Sequence, residues 1–159
     1  MFFLNNKLKQ TFNFDVIETT SIRGSTNQHY YHPMNQKKFE QYRYDIDMWN
    51  RLLFYVQEEN NLLKMRLADV TTNFQDKKYI AALEQYQNNL TDTDAVFALF
   101  KTDIFKHNLF IENQNSEKLE HFSEGTTEHK KLSKEIQLME SNFNKMKFDF
   151  TNFIIECLA

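Results

Sequence analysis

A chain of 159 residues, 41% apolar and 15% aromatic, has enough length and hydrophobic content to bury one domain-sized core. Its net charge of −3 leaves no basic footprint for nucleic acid, and its single cysteine, Cys157, excludes an intramolecular disulfide. Two glycines, Gly24 and Gly125, and one proline, Pro33, are too few for a sheet-rich fold and point to a few long helices.

Residues 1–34 lack a sustained helical period. Phe12, Phe14 and Val16 alternate with Asn13 and Asp15, a weak strand signal, and residues 19–27 read as loop. The apolar opening residues 1–4 turn polar at Asn5 before a signal-peptide core develops. These residues are expected to form an extended or flexible N-terminal arm, laid on the rest of the chain or docked on another subunit. Residues 35–159 form the helical domain.

The first helix has a readable start. Asn35 is a plausible N-cap, which places Met34 and Phe39 at the two positions of a hydrophobic staple. An apolar seam then runs through Phe39, Tyr42, Ile46, Trp49, Leu53, Val56, Asn60, Leu63, Leu67, Val70 and Phe74. Steps of three and four average 3.5 residues and put these side chains on one stripe that must bury against other helices. Asn60 is the one polar member. A buried, unpaired amide costs about 1–3 kcal/mol, so Asn60 is expected to lean toward water beside Glu58, Glu59 and Asn61, with a register-fixing role as the alternative.

A turn at residues 73–76 leads to a second seam: Tyr79, Leu83, Tyr86, Leu90, Thr93, Phe97, Phe100, Ile104, His107 and Ile111. Thr91 and Asp94 resemble a capping box, which would break the helix there. The seam keeps its phase across them, so one continuous helix is expected, kinked at most. Residues 113–116 and 123–127 read as irregular stretches around a short helix at 117–122, and Gly125 suits a helix C-terminus. The last helix carries the seam Leu132, Ile136, Met139, Phe143, Met146, Phe150, Phe153 and Cys157.

Three matched seams imply an all-α fold. It is an up-down-up antiparallel bundle of three long helices (about 36–72, 76–112 and 127–158), with coiled-coil-like packing at crossing angles of about +20°. Each helix also carries apolar residues beside its seam. These are Tyr44, Met48, Leu52, Tyr55 and Leu62 on the first, Ile80, Phe105, Leu109 and Phe110 on the second, and Leu138, Phe148, Ile154, Ile155 and Leu158 on the third. A three-helix bundle needs wide apolar faces, so most of this excess is expected in the core, with the first helix as its doubly covered central rod. The C-terminal excess is harder to cover. Phe148, Ile154, Ile155 and Leu158 are the interface candidates.

No residue pattern carries recognisable chemistry. The paired Glu-x-x-His of di-iron bundles is absent. Asp103 with His107 and Glu117 with His121 stand at i,i+4, where carboxylate–histidine pairs usually form surface ion pairs, and Glu120 with Glu124 adds two carboxylates. His29 and His32 have no cysteine or carboxylate nearby. His107 reads as a hydrogen-bonded core histidine, and His129 as closing a helix end or facing solvent. Cys157 reads as a small hydrophobe with nothing basic to activate it, and no glycine-rich phosphate loop exists. Lys37, Lys38, Lys130, Lys131 and Lys134 share one pole, diluted by Glu40, Glu128 and Glu135.

No catalytic, cofactor or metal residue is assigned, no small-molecule substrate is apparent, and no segment reaches the ~18–20 apolar residues of a membrane span. The expectation is a cytoplasmic, non-enzymatic bundle acting by self-association or by binding another protein. Its alternative is a bundle that holds a metal or small ligand in its core.

Overall fold

Three α-helices, α1 (Pro33–Asn73), α2 (Lys77–Asn113) and α3 (Leu119–Leu158), pack as an all-α bundle. The computed structural model describes residues 33–73, 77–113 and 119–158, with side chains over 37–72, 78–113 and 125–157. The arm at 1–32 and the strand signal at 12–16 lie outside the described residues.

The seams form the core. From Tyr42 to Val70 every seam position of α1 is buried, Asn60 included. On α2, Leu83, Leu90, Phe97, Phe100, Ile104, His107 and Ile111 are buried, and on α3 so are Leu132, Ile136, Met139, Phe143, Phe150 and Cys157. Tyr79, Tyr86, Met146 and Phe153 are half-buried and pack against that core. Cross-links establish the directions. His107 meets His129, Phe97 meets Phe143 and Tyr86 meets Phe150, so α2 and α3 run antiparallel. Tyr42 meets Thr126 and Glu59 meets Lys147, so α1 and α3 run parallel.

Helix α2 is continuous through residues 88–94. Thr91 and Thr93 donate their hydroxyls to the carbonyls of Gln87 and Asn89 one turn back, and Asp94 bonds to α1 instead of capping. The threonines thereby satisfy themselves inside a helix, and the seam holds it together.

Three expectations need correction. Helix α1 begins at Pro33, which places Asn35 in the first turn and not at the cap. Proline suits that turn, because its missing N–H would have no intrahelical partner. Helix α3 begins at Leu119 and runs unbroken through residues 123–127. Gly125 is therefore an interior helix residue. It is buried, and a Cβ there would lie 2.6 Å from Cε1 of Phe110, so glycine serves the close approach of α2 and α3.

The third correction concerns the second stripes. Tyr44, Met48, Tyr55 and Leu62 of α1 are exposed, as are Ile80, Phe105 and Leu109 of α2 and Leu138, Phe148 and Ile155 of α3. Among the described residues of these stripes, only Leu52, Phe110 and Ile154 turn inward. Three helices offer each member two neighbours on one side, and the far flanks stay wet. Helix α1 is thus not a doubly covered rod.

Candidate functional site

The most unusual chemistry of the molecule lies where α1 and α3 begin and α2 ends. Asp45 stands one residue before Ile46 and projects from the edge of the α1 seam. His107 is a seam residue of α2. His129 precedes Leu132 by three and continues the α3 seam backward. The helices bring the three into one hydrogen-bonded chain.

His129 Nε2 lies 3.0 Å from Asp45 Oδ2, and His129 Nδ1 lies 3.0 Å from His107 Nε2. The acceptor-only carboxylate assigns the protons: His129 Nε2–H donates to Asp45, the bare His129 Nδ1 accepts, and His107 Nε2–H donates to it. That leaves His107 Nδ1 as a lone pair with no hydrogen-bond partner among the described residues, on a side chain only 4% exposed.

Aromatic rings wall the chain in. Tyr42 stacks on His129 with centroids 3.8 Å apart, and its hydroxyl bonds Thr126 Oγ1 at 3.0 Å. Trp49, the only tryptophan of the sequence, packs 4.7 Å from the His129 ring and 6.3 Å from the His107 ring. Burial in this setting pushes His107 down to about 4, with the neighbouring His129 acting in the same sense. Burial lowers His129 as well, against the opposing hydrogen bond and charge of Asp45. Both imidazoles are neutral at pH 7.

An Asp–His pair orients a base in hydrolytic triads. Here no hydroxyl or thiol bonds His107 among the described residues, the Thr126 hydroxyl is engaged by Tyr42, and Cys157 sits near the opposite pole. The Cys157 thiol is buried and its pKa is raised, by burial first and by Glu156 second. The arrangement can store and orient a proton. It presents no nucleophile.

A second polar node crosses the middle of the bundle. Asn60, 0% exposed, donates through Nδ2 to the Leu90 carbonyl at 3.0 Å and to Asp94 Oδ1 at 2.7 Å, while Lys64 pairs with the other oxygen of Asp94. The amide is thus sealed between α1 and α2 and not turned toward water. Its Oδ1 has no partner among the described residues.

Of the ligand-like pairs in the sequence, Asp103–His107 does not form a site, because His107 turns to His129. The side chains of Glu117, His121, Glu120 and Glu124 lie outside the described residues, as do His29 and His32. Among the described residues no group of three or more His, Cys, Asp or Glu side chains is placed to hold a metal ion. A cleft of about 510 Å³ between α2 and α3 has Val96, Phe97, Met139 and Phe143 among its apolar lining and Asp92, Asn142 and Lys145 among its polar lining.

The interface candidates divide. Phe148 is 65% exposed and Ile155 60% exposed, whereas Ile154 packs on the core and the Leu158 side chain lies outside the described residues. Helix α1 adds an exposed stripe that was expected to be core: Tyr44, Met48, Tyr55 and Leu62, spaced by four, seven and seven. The Glu59–Lys147 ion pair joins this flank of α1 to the residue beside Phe148.

The polar chain could have been found by extending the α3 seam. Leu132 minus three is His129, and minus four again is Gly125. Asp45 had no comparable signal, since its partner is 84 residues away. No described helix is long and apolar enough to cross a membrane. No protein-family model matches the chain, and comparisons with curated proteins and with solved structures find no match.

Proposed function

We propose that this chain is a non-enzymatic helical-bundle protein that works through protein–protein contact, with self-association through the flank shared by α1 and α3. The exposed stripe carries the reading. Tyr44, Met48, Tyr55 and Leu62 on α1 and Phe148 and Ile155 on α3 are large apolar side chains left in water on helices whose seams are already satisfied. Contiguous apolar exposure marks interaction surfaces, and aromatic and Met side chains are enriched in them; the four α1 residues, at steps of four and seven, lie along one stripe of their helix. A second copy or another protein would cover it. A cytoplasmic location belongs to the same reading, with Cys157 held as a buried, unactivated thiol.

Light scattering over a concentration series tests this. The expected result is a mass that rises above the 19.2 kDa of the monomer. The double substitution Tyr55→Lys/Phe148→Lys should weaken association at least about tenfold while leaving helical circular dichroism unchanged. A concentration-independent monomer would overturn self-association.

The competing reading is a small ligand within the bundle. It is favoured by the α2–α3 cleft, where Asn142 Nδ2 is buried without a partner among the described residues. Mass spectrometry of the native protein should find no bound species if the interaction reading holds.

A further inference from the structure

The Asp45–His129–His107 chain has a fixed proton capacity. The 3.0 Å gap between His107 Nε2 and His129 Nδ1 holds one hydrogen, because two N–H groups cannot point at each other across it. With His129 Nε2–H given to Asp45, the closed chain contains two ring protons. A third has one place to go, His107 Nδ1, where it becomes a buried donor with no acceptor among the described residues. A fourth must enter the occupied gap. Two imidazolium rings are therefore incompatible with the contact between α2 and α3.

The surroundings do not relieve this. Asp45 on α1 is committed to His129, and Lys38 on α1 acts against a positive His129. On α3, Glu128 pairs with Lys131 at the surface. On α2, half-buried Asp103 lies one turn before His107. Tyr42 and Trp49 add faces to the rings and no acceptor for the orphan nitrogen.

We propose that this chain is an acid-operated latch: neutral imidazoles hold α2 and α3 together at the pole where α1 begins, and double protonation releases that pole while the rest of the bundle stays packed. The middle of the bundle is held independently by Asn60, Leu90 and Asp94, and the far pole by Tyr79, Tyr86, Phe150 and Phe153. Opening would uncover Trp49, Tyr42 and the Phe110–Gly125 contact. The proposal is independent of the self-association reading.

The sign of the pH effect follows from the depressed His107. In the open latch His107 takes up its proton near the ordinary histidine value of about 6.5, whereas in the closed one it resists until about 4, and burial holds His129 below its ordinary value too. The closed form is therefore fully favoured above 6.5 and loses ground as pH falls toward 4.

Trp49 reports the event from inside the site. Lowering the pH from 7.5 to 4.5 should change its emission in a transition below pH 6.5. Over the same range, amide protection factors, which compare each rate with the intrinsic rate at the same pH, should fall at least about tenfold in residues 37–49, 104–113 and 125–132, and hold in residues 53–67 and 136–150. In His107→Gln the amide still donates to His129 Nδ1 but cannot become a cation, so the transition should disappear or lose its steepness. If that variant does not fold, His129→Gln provides the same comparison. Three results overturn the latch: an identical transition in the variant, loss of protection spread equally over all three helices, or two doubly protonated rings with the pole still closed.

Discussion

The two poles of the bundle are closed by different physics. Where α1 begins, Asp45, His129, His107, Tyr42 and Thr126 join the helices through hydrogen bonds of 3.0 Å. At the opposite pole, Tyr79, Tyr86, Phe150 and Phe153 pack with centroids 5.0–6.1 Å apart, two of the contacts edge to face. A hydrogen bond has one good geometry, so sliding a helix by a single 1.5 Å step breaks it. Aromatic contacts of 4.5–7 Å tolerate such a shift and derive most of their value from buried area. The polar pole therefore sets register and responds to acid, and the aromatic pole supplies stability that does not depend on pH in the acid range. Asn60 repeats the polar device at mid-length, where register errors would otherwise spread to both ends.

The largest expected effect tests the stability half of this contrast. Phe150, fully buried beneath Tyr86, should cost about 3–5 kcal/mol when replaced by Ala, read as a shift of the urea midpoint with the acid response of Trp49 unaltered. A cost below about 1 kcal/mol would remove the distinction between the poles.

Asn60 tests the register half. Asn60→Asp puts a buried carboxylate against Asp94, and should cost roughly 2–4 kcal/mol at pH 7, recovering as the pH is lowered and one carboxylate takes a proton. Asn60→Leu removes an orphan oxygen and should change stability by no more than about 1 kcal/mol. It should nevertheless broaden the amide NMR spectrum as registers exchange. Sharp, unchanged spectra in the leucine variant would show that the polar pole alone specifies alignment.

Gly125→Ala is the smallest. Its methyl gains up to about 1 kcal/mol of helix propensity and collides with the Phe110 ring, so the two terms oppose each other. The melting temperature should fall by a few degrees in the native background and rise when Phe110→Leu has cleared the space. The same sign in both backgrounds would mean that Phe110 does not set the helix approach.

The three seams were legible because burial along a helix is periodic, and periodicity survives in the linear order of residues. His129 was obscured by a local rule: Gly125 and its Ser and Thr neighbours read as a turn, which cut the seam at Leu132. Close helix packing overrode the usual cost of an interior glycine. Other features had no linear signature. Asn60 resembles a residue seeking water until Leu90 and Asp94, 30 and 34 positions away, are brought beside it. The exposed flank was misjudged for the complementary reason: apolar content tells how much surface seeks cover, and only the arrangement of neighbours tells how much receives it.

An odd number of helices has a geometric consequence of its own. Because α1 and α3 run parallel, the backbone enters at one pole and leaves at the other, whereas a hairpin or four-helix bundle would return it to its starting side. A helix of 41 residues is about 60 Å long. Pro33 and Leu158 are thus separated by about that distance along a single axis. In mechanical terms, pulling on those two points would load all three helices along their length.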